Sequence, residues 1–350
     1  MKVALITDTH FGARGDSILF YEYMMEFYNN VFFPELETRK IDTVIHLGDV
    51  VDRRKFINFN ILTRMKNEFL GRLQRMNITT HMLVGNHDTY FKNTNSVNAM
   101  KELIDASHPY APIIYEEVQN IKLTDGTDIL MLPWINSENY KSSLSAVKKS
   151  KSKVCFAHLE LAGFEMMRGL KCEDGMDMKY FEKFDLTCSG HFHTKSNQAN
   201  LHYLGTAYEL FWSDYNDRKG FHIWDTETNE LEHVINPYKM FNKIWYDDNT
   251  KVNDDYSHLK DKYIKIIVKE KSNAFHFEQL VDKMYQVGVA DLAIIEDDID
   301  IEWEDNTDDD RSEDTIALLS KYIDNYELEV DKSKLKGIMQ ELYSEALRGD

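Results

Sequence analysis

Five short apolar runs in the first two hundred residues each end at an Asp, Asn or His residue. The five junctions are Asp8-Thr9-His10, Gly48-Asp49-Val50-Val51-Asp52, Gly85-Asn86-His87-Asp88, Ala157-His158 and Gly190-His191-Phe192-His193. Such runs predict β-strands, and helix-like stretches lie between the first three. Ligands of open α/β sheets bind at the carboxyl ends of strands, so we expect the five junctions to meet at one edge of an α/β core.

The same patterns predict the strands and helices of this core and a small module that follows it. Strands are predicted at 3–7, 43–47, 80–84, 129–132, 154–157, 186–189, 200–204, 221–225 and 231–235, and helices at about 17–30 and 58–76. The last of these strands are expected to form antiparallel hairpins. Asn236-Pro237 marks a boundary. A small α+β module follows, with strands at 263–268 and 290–295 and a helix at 275–287.

The acidic charge of the chain lies mostly at its end. The net charge is −19, of which residues 1–295 carry −6 and residues 296–350 carry −13. Residues 296–313 are typical of a solvated acidic linker, and two amphipathic helices are predicted within 314–350. This helix pair either packs on the body or docks on another protein. The total charge weighs against a nucleic-acid partner, but the body is only mildly acidic.

Other sequence features indicate a cytosolic protein. No apolar run approaches the roughly 18 residues that cross a bilayer, and the start of the chain lacks a signal peptide. Cys155, Cys172 and Cys188 have no paired spacing, so we expect buried, reduced thiols rather than a disulfide. The chain also has no G-x-x-x-x-G-K-[ST] motif, so any control by ATP requires another subunit.

The residue types at the junctions indicate a metal centre. Carboxylate, carboxamide and imidazole groups together suit manganese, iron or zinc, and the absence of thiolates disfavours a structural zinc site. Two metal ions can clamp the attacking and leaving oxygens of a phosphoryl group. Asp49 is the candidate for a ligand shared between them, and His87 is the candidate general acid. Gly48, Gly85 and Gly190 precede candidate residues, where glycine permits positive φ and close approach of the backbone.

The order of motifs D-x-H, GDxxD, GNHD, H and GHxH resembles that of the calcineurin-like metallophosphoesterases. The flanking segments DVVDRRKFINFN, VGNHDTYFKNTNSVNA, MLPWINSEN and SGHFHT resemble SbcD-type nuclease subunits, including the recombination endonuclease subunits of T-even-like phages. This resemblance implies a four-layer sandwich of two mixed sheets flanked by helices. It implies a nuclease domain at 1–237, a DNA-capping α+β domain at 238–295, the linker, and a helix pair that binds a partner ATPase.

The resemblance also implies a role for each residue of the site. One metal would be held by Asp8, His10, Asp49 and His193, and the other by Asp49, Asn86, His158 and His191. His87 would be catalytic and oriented by Asp88, whereas Asp52 is interpreted as structural. The family uses two divalent ions, preferably Mn²⁺, with Mg²⁺ as the alternative.

The family's partners and activity are implied in the same way. They are DNA, an SbcC-like coiled-coil ABC ATPase and a second copy of the chain, which together form a two-plus-two heterotetramer. Helices near 59–76 and 95–104 would form the dimer contact. The activity would be a 3′-to-5′ double-strand exonuclease and a single-strand endonuclease in recombination, repair and replication. It would operate in the bacterial cytoplasm if the chain is encoded by a phage.

Two other interpretations stay open on the residues. A phosphoprotein or small-molecule phosphoesterase would share the chemistry, although GNHD replaces the phosphatase GNHE and Arg54 stands where phosphatases have glycine. A non-enzymatic scaffold is disfavoured by the complete set of ligands. Arg53, Arg54, Lys55 and Lys92 flank the motifs and are either contacts to a phosphodiester backbone or solvated loop charges.

Overall fold

The computed structural model of the chain describes residues 1–104, 106–107, 111–167, 170–252, 255–296, 332 and 334–336. The chain divides into two compact units, Met1–Glu302 and Trp303–Asp350. The predicted linker at 296–313 and helix pair at 314–350 lie almost entirely outside the described residues.

Three sheets and a small hairpin contain the described strands. The strands are β1 (Lys2–Ile6), β2 (Thr43–His46), β3 (Thr79–Leu83), β4 (Ile113–Tyr115), β5 (Gln119–Lys122), β6 (Asp128–Leu132), β7 (Val154–His158), β8 (Glu165–Met167), β9 (Leu170–Lys171), β10 (Leu186–Gly190), β11 (Ser196–Gln198), β12 (Leu201–Tyr203), β13 (Gly220–Asp225), β14 (Leu231–Ile235), β15 (Phe241–Tyr246), β16 (Tyr263–Val268) and β17 (Asp291–Ile295). The first sheet has the order β14-β13-β1-β2-β3-β4, and the second has β11-β12-β10-β7-β6-β5. The third sheet, β15-β16-β17, is parallel, and β8 pairs with β9.

The helices lie between strands, as the alternating pattern predicts. The main helices are α1 (Ile18–Phe27, continuing through Tyr28–Phe32 and Phe33–Thr38), α2 (Phe59–Arg64, continuing through Met65–Leu70 and Gly71–Arg75), α3 (Ala99–Leu103), α4 (Tyr140–Lys149) and α5 (Ala274–Val287). Shorter helical segments lie at Ala13–Asp16, Met178–Phe181, Trp212–Asp214 and Ser257–Leu259. Ser17 begins α1 by accepting a hydrogen bond from the Phe20 amide at 3.3 Å. Within the described residues, no helix combines the length and apolar character needed to cross a bilayer.

Apolar packing arranges these elements in four layers. Val3 on β1 and Ile129 on β6 belong to one buried cluster between the two six-stranded sheets. In the same cluster, Phe156 meets Trp224 edge to face with ring centroids 5.1 Å apart. Helices α1 and α2 cover the outer face of the first sheet, and α4 packs on the second sheet through Val147. The predicted α/β sandwich of two mixed sheets flanked by helices is therefore confirmed.

Several elements differ from the sequence predictions. Helix α1 continues beyond the predicted end at 30, because Phe32 and Phe33 prolong its buried face after the polar pair Asn29-Asn30. Strands β4, β5, β8, β9, β11 and β15 and helix α4 were not predicted. Strand β5 is polar and mostly exposed, and α4 buries only Ser143 and Val147, so neither has a strong apolar pattern.

The expected hairpin forms at the edge of the first sheet, and a second hairpin, with the unpredicted strand β11, forms in the second sheet. Strands β13 and β14 pair antiparallel at the edge of the first sheet, whereas β11 and β12 complete the second.

The third sheet and α5 share a buried cluster that includes Tyr246, Ile264 and Leu280. Cys155, Cys172 and Cys188 are all buried free thiols, as expected.

The buried histidine His81 makes the stability of the fold depend on pH. Its Nδ1 lies 2.7 Å from the Tyr115 hydroxyl, and burial lowers its pKa to about 4. The unfolded chain, with a histidine pKa of about 6.5, binds this proton more tightly, so stability falls as the pH drops from 7 towards 4. Between pH 7 and pH 5 this residue should cost about 2 kcal/mol.

In His81→Gln the urea-derived free energy of unfolding should therefore change less between pH 7 and pH 5 than in the wild type. The exposed His258→Gln serves as the matched control and should keep the wild-type difference. An identical pH dependence in His81→Gln and the wild type would contradict this account.

Candidate dinuclear metal site

The five junctions meet where the carboxyl ends of the two large sheets face each other. Strands β1, β2 and β3 run parallel and adjacent, and each ends directly before one junction. In the second sheet, β7 and β10 are parallel neighbours with Gly190 opposite His158. All seven predicted ligands are thereby brought together, and five of them (Asp8, His10, Asp49, Asn86 and His158) are buried.

A first group consists of Asp8, His10 and His193, whose potential ligand atoms all lie within 4.8 Å of one another. The Nε2 atoms of His10 and His193 are 3.1 Å apart. The Asp8 carboxylate accepts hydrogen bonds from the His191 amide at 3.0 and 3.1 Å. This bond joins the first junction to the last.

A second group consists of Asp49, His158 and His191, again with ligand atoms within 4.8 Å. The Asn86 Oδ1 atom lies 3.0 Å from His158 Nε2 and 2.9 Å from His191 Nδ1. The amide oxygen and the two ring nitrogens thus converge on one point. Nitrogen and oxygen donors in this combination suit a divalent transition metal.

Asp49 lies between the two groups. Its Oδ2 is 3.3 Å from His158 Nε2 and 4.0 Å from His10 Nε2. Its Oδ1 accepts a hydrogen bond from the His87 amide at 2.8 Å. The carboxylate therefore has one oxygen fixed by backbone and the other directed at histidines of both groups.

The backbone at four candidate ligands is strained. Asp8, His10, Asp49 and His191 have φ values of 49°, 44°, 55° and 88°. Non-glycine residues rarely adopt this left-handed region, and each instance costs on the order of 1–3 kcal/mol. Backbone hydrogen bonds between the junctions hold these residues in this conformation. The Asp8 amide donates to the Gly48 carbonyl at 3.0 Å, and the His10 amide donates to the Asp49 carbonyl at 3.1 Å. Such strain is common at functional sites.

The glycines at the junctions are required mainly because a side chain would not fit at these positions. Only Gly48 among the three has positive φ, at +103°. A Cβ atom on Gly85 would lie 2.2 Å from Asp49 Oδ1, and one on Gly190 would lie 2.1 Å from Thr7 Oγ1. Gly85 and Gly190 are therefore required for the close approach of side chains, and the positive φ expected from the sequence applies to Gly48 alone.

Neighbouring groups fix which nitrogen of each histidine faces the site. His158 Nδ1 lies 2.7 Å from the Leu47 carbonyl oxygen, which can only accept, so Nδ1 carries the hydrogen. His10 Nδ1 lies 3.3 Å from Asp52 Oδ1. In both residues Nε2 is then available as a metal ligand. The His158 hydrogen bond is the kind of support that metal-binding histidines usually have, and Asp52 contacts His10 at the corresponding ring nitrogen.

The charges of the site call for bound cations. Burial raises the pKa of Asp8 to about 6, with a smaller contribution from Asp49. Burial by itself would lower the pKa of His158, but the facing Asp49 carboxylate outweighs it and raises the pKa to about 9. Three buried carboxylates, Asp8, Asp49 and Asp88, occupy this region. Two divalent ions would offset this charge, so the residues present fit a dinuclear centre.

Asp88 supports the site differently from the prediction that it orients His87. Its carboxylate accepts hydrogen bonds from the amides of Asp49, Val50, Val51 and Gly85 at 2.8–3.1 Å, and so ties the second junction to the third. The ring of His87 contacts the carbonyl oxygen of Asp52 through Nδ1 at 2.5 Å. Asp52 thus supports His87 through its carbonyl and His10 through its carboxylate.

A brace beneath His193 was not recognised in the sequence. Lys219 is buried, and its Nζ donates to the His193 carbonyl at 2.8 Å and to the Asp214 carboxylate at 2.6 Å. Asp214 also accepts from the amide of Phe211, whose ring stacks on His193 with centroids 5.7 Å apart. Trp134 lies on the other side of the site, 5.1 Å from the His191 ring. Lys219 follows Arg218 and precedes Gly220, so its sequence neighbours give no signal that its side chain is buried.

The predicted cationic residues lie in loops next to the site. Arg53 pairs with the Asp16 carboxylate, so its guanidinium already has an anionic partner. Arg54 donates to the Thr89 hydroxyl at 3.3 Å, which joins the loops after the second and third junctions. The Lys55 ammonium lies 6.0 Å from the Tyr90 ring centroid. Lys92 follows two residues later in the same loop as Tyr90.

The chain is similar in sequence to known proteins. A family profile described as calcineurin-like phosphoesterase matches residues 1–195. Exonuclease subunit 1 of Enterobacteria phage T4 is 32% identical over 288 residues, which cover 81% of this chain and 82% of that protein. An SbcCD nuclease subunit of Staphylococcus epidermidis is 22% identical, with 79% of this chain and 78% of that protein covered.

The family profile spans more than half of the chain and includes all five junctions, and the phage relative extends the likeness beyond it. The chain therefore belongs to the calcineurin-like phosphoesterase family and is a metal-dependent phosphoesterase.

Proposed function

We propose that the chain is a two-metal DNA nuclease that processes DNA ends as a subunit of an ATPase–nuclease complex. The observation that carries this proposal is the pair of donor groups joined by Asp49 beside His87. Two relatives named as an exonuclease subunit and as a subunit of the SbcCD nuclease support DNA as the substrate. The segments 53–60 and 89–98 next to His87 contain Lys and Arg but no Asp or Glu, which supports a polyanionic ligand.

The proposed ligand sets follow the two groups. Asp8, His10 and His193 would hold one ion, Asn86, His158 and His191 would hold the other, and Asp49 would be shared. When bound, two divalent ions, preferably Mn²⁺, supply Lewis-acid activation of the phosphodiester and of the attacking water. These residues would fix where the ions bind, because five of the seven side chains are buried and backbone hydrogen bonds orient Asp8, Asp49 and His158.

His87 would supply the proton for the leaving oxygen. Because its Nδ1 is engaged by the Asp52 carbonyl, Nε2 is the ring atom that would donate the proton. The His87 ring lies edge-on to His10, with centroids 4.8 Å apart, which places it beside the first group. The carbonyl of Asp52 keeps the ring from rotating. The hydrogen bond from the His87 amide to the Asp49 carboxylate fixes the loop that carries His87 relative to the shared ligand.

We propose further that the chain acts as a homodimer bound to an SbcC-like ATPase, giving a two-plus-two complex. Phe59, at the start of α2, is 84% exposed, and Val97, before α3, is 39% exposed. Exposed apolar side chains on these two segments support a contact between copies. The small module at 238–295 would cap the DNA, and residues 314–350 would bind the ATPase.

His87→Asn should lower cleavage of linear duplex DNA by about 10²–10⁴-fold, because the general acid is lost while the metal ligands remain. The assay is Mn²⁺-dependent cleavage of end-labelled duplex, with isothermal titration of Mn²⁺ in parallel. His202→Asn makes the same change outside the junctions and should retain activity.

Full cleavage by a folded His87→Asn protein that binds Mn²⁺ would contradict the role of His87. A wild-type protein that hydrolyses a phosphopeptide but no DNA would instead favour the phosphatase interpretation.

Truncation after residue 300 should leave Mn²⁺-dependent DNA cleavage intact and abolish association with the partner ATPase, because the proposed binding segment is removed. Co-purification of the tagged full chain and of the tagged truncated chain with the ATPase measures this. Equal recovery of the ATPase by both proteins would place the binding surface elsewhere.

A further inference from the structure

Two loops beside His87 are free of acidic residues. Residues 53–60 and 89–98 contain four Lys or Arg residues and no Asp or Glu, in a chain whose net charge is −19. The first loop begins directly after Asp52, whose carbonyl contacts the His87 ring. The second begins two residues after His87. The bond from Arg54 to the Thr89 hydroxyl joins them. Even with Arg53 paired with Asp16, these two segments keep a net positive charge next to the proposed general acid.

The same border carries a pair of exposed aromatic rings. Tyr90 and Phe91 are 45% and 48% exposed, and their rings meet edge to face with centroids 4.7 Å apart. The Lys55 ammonium lies 6.0 Å from the Tyr90 centroid. Exposed aromatic rings among cations are the combination that binds single-stranded nucleic acids, in which bases stack on the rings and cations follow the backbone.

The loop that carries these rings is held in place by hydrogen bonds. The backbones of Thr89 and Asn98 pair in an isolated antiparallel β-bridge, and the Tyr90 amide donates a hydrogen bond to the Val97 carbonyl at 2.9 Å. The Asn95 side chain donates to the carbonyls of Glu116 at 3.1 Å and Trp134 at 2.8 Å. Because the Trp134 ring adjoins His191, Asn95 ties the loop to the metal site. A fixed loop loses little conformational entropy when a ligand binds.

We propose that the Tyr90–Phe91 pair stacks on an unpaired base of the DNA strand that is cleaved beside His87. The proposal rests on the DNA nuclease function above and adds that the enzyme engages an unstacked nucleotide at the site. A second copy of the chain is the alternative occupant of these rings, because the proposed contact between copies includes Phe59 and Val97 of the same two segments. A two-fold contact there would bring Lys55 and Lys92 close to their own copies, so the charge favours DNA.

The test uses the full chain with Mn²⁺ and a labelled single-stranded oligothymidylate, either intact or with one abasic position moved along it. The Tyr90→Ala/Phe91→Ala variant should lose about 10- to 100-fold in kcat/KM on the intact strand. Hydrolysis of bis(para-nitrophenyl) phosphate, which has no base, should not change. The wild type should lose a similar factor when the abasic position meets the rings, and the double variant should be insensitive to that position.

Two controls separate stacking from general disturbance of the surface. Tyr90→Phe keeps the ring and should retain wild-type kinetics. Tyr180→Ala removes a tyrosine of equal exposure, 45%, from another surface and should have no effect.

Wild-type kinetics of the double variant on the intact strand would overturn the proposal. A change in its sedimenting mass would overturn it in favour of a contact between copies. A wild-type protein that hydrolyses bis(para-nitrophenyl) phosphate but no DNA would refute the nuclease function itself, and the stacking proposal with it.

Discussion

The position of the buried Asp49 carboxylate governs the arrangement of the site. One oxygen is fixed by the His87 amide, and the other faces histidines from both donor groups. An unpaired buried carboxylate is unstable, so this geometry requires positive charge nearby. The Asp49 carboxylate accordingly raises the pKa of His158 to about 9 against the opposing effect of burial.

The two-sheet sandwich exists, for functional purposes, to bring strand ends together. The first sheet supplies Asp8, His10, Asp49 and Asn86, and the second supplies the remaining three histidines. Neither sheet alone carries a complete set of donors. This convergence places the backbone of four ligands in the strained left-handed region. The Asp88 carboxylate offsets part of the strain energy by accepting hydrogen bonds from four amides of two junctions. Packing between the sheets therefore stabilises the site as well as the fold.

Local patterns were sufficient to predict the parts of the molecule that depend on short segments. An apolar run followed by a polar residue predicts a strand end, so the α/β core and the candidate residues followed from the residues themselves. The four-layer sandwich was implied by the resemblance to the metallophosphoesterases. Strand β5 and helix α4 were missed because their faces are mostly exposed and polar. The positive φ predicted for Gly85 and Gly190 was wrong, because the crowding at these positions arises between residues far apart in the chain. The Lys219 brace depends on similarly distant contacts.

Two cations are proposed to bind around Asp49. Anomalous diffraction from a crystal of the full chain soaked in Mn²⁺ measures this directly. The structure predicts two peaks, one among Asp8, His10 and His193 and one among Asn86, His158 and His191, with the Asp49 carboxylate between them. A crystal in which these side chains surround no anomalous peak, or only one, would contradict the account.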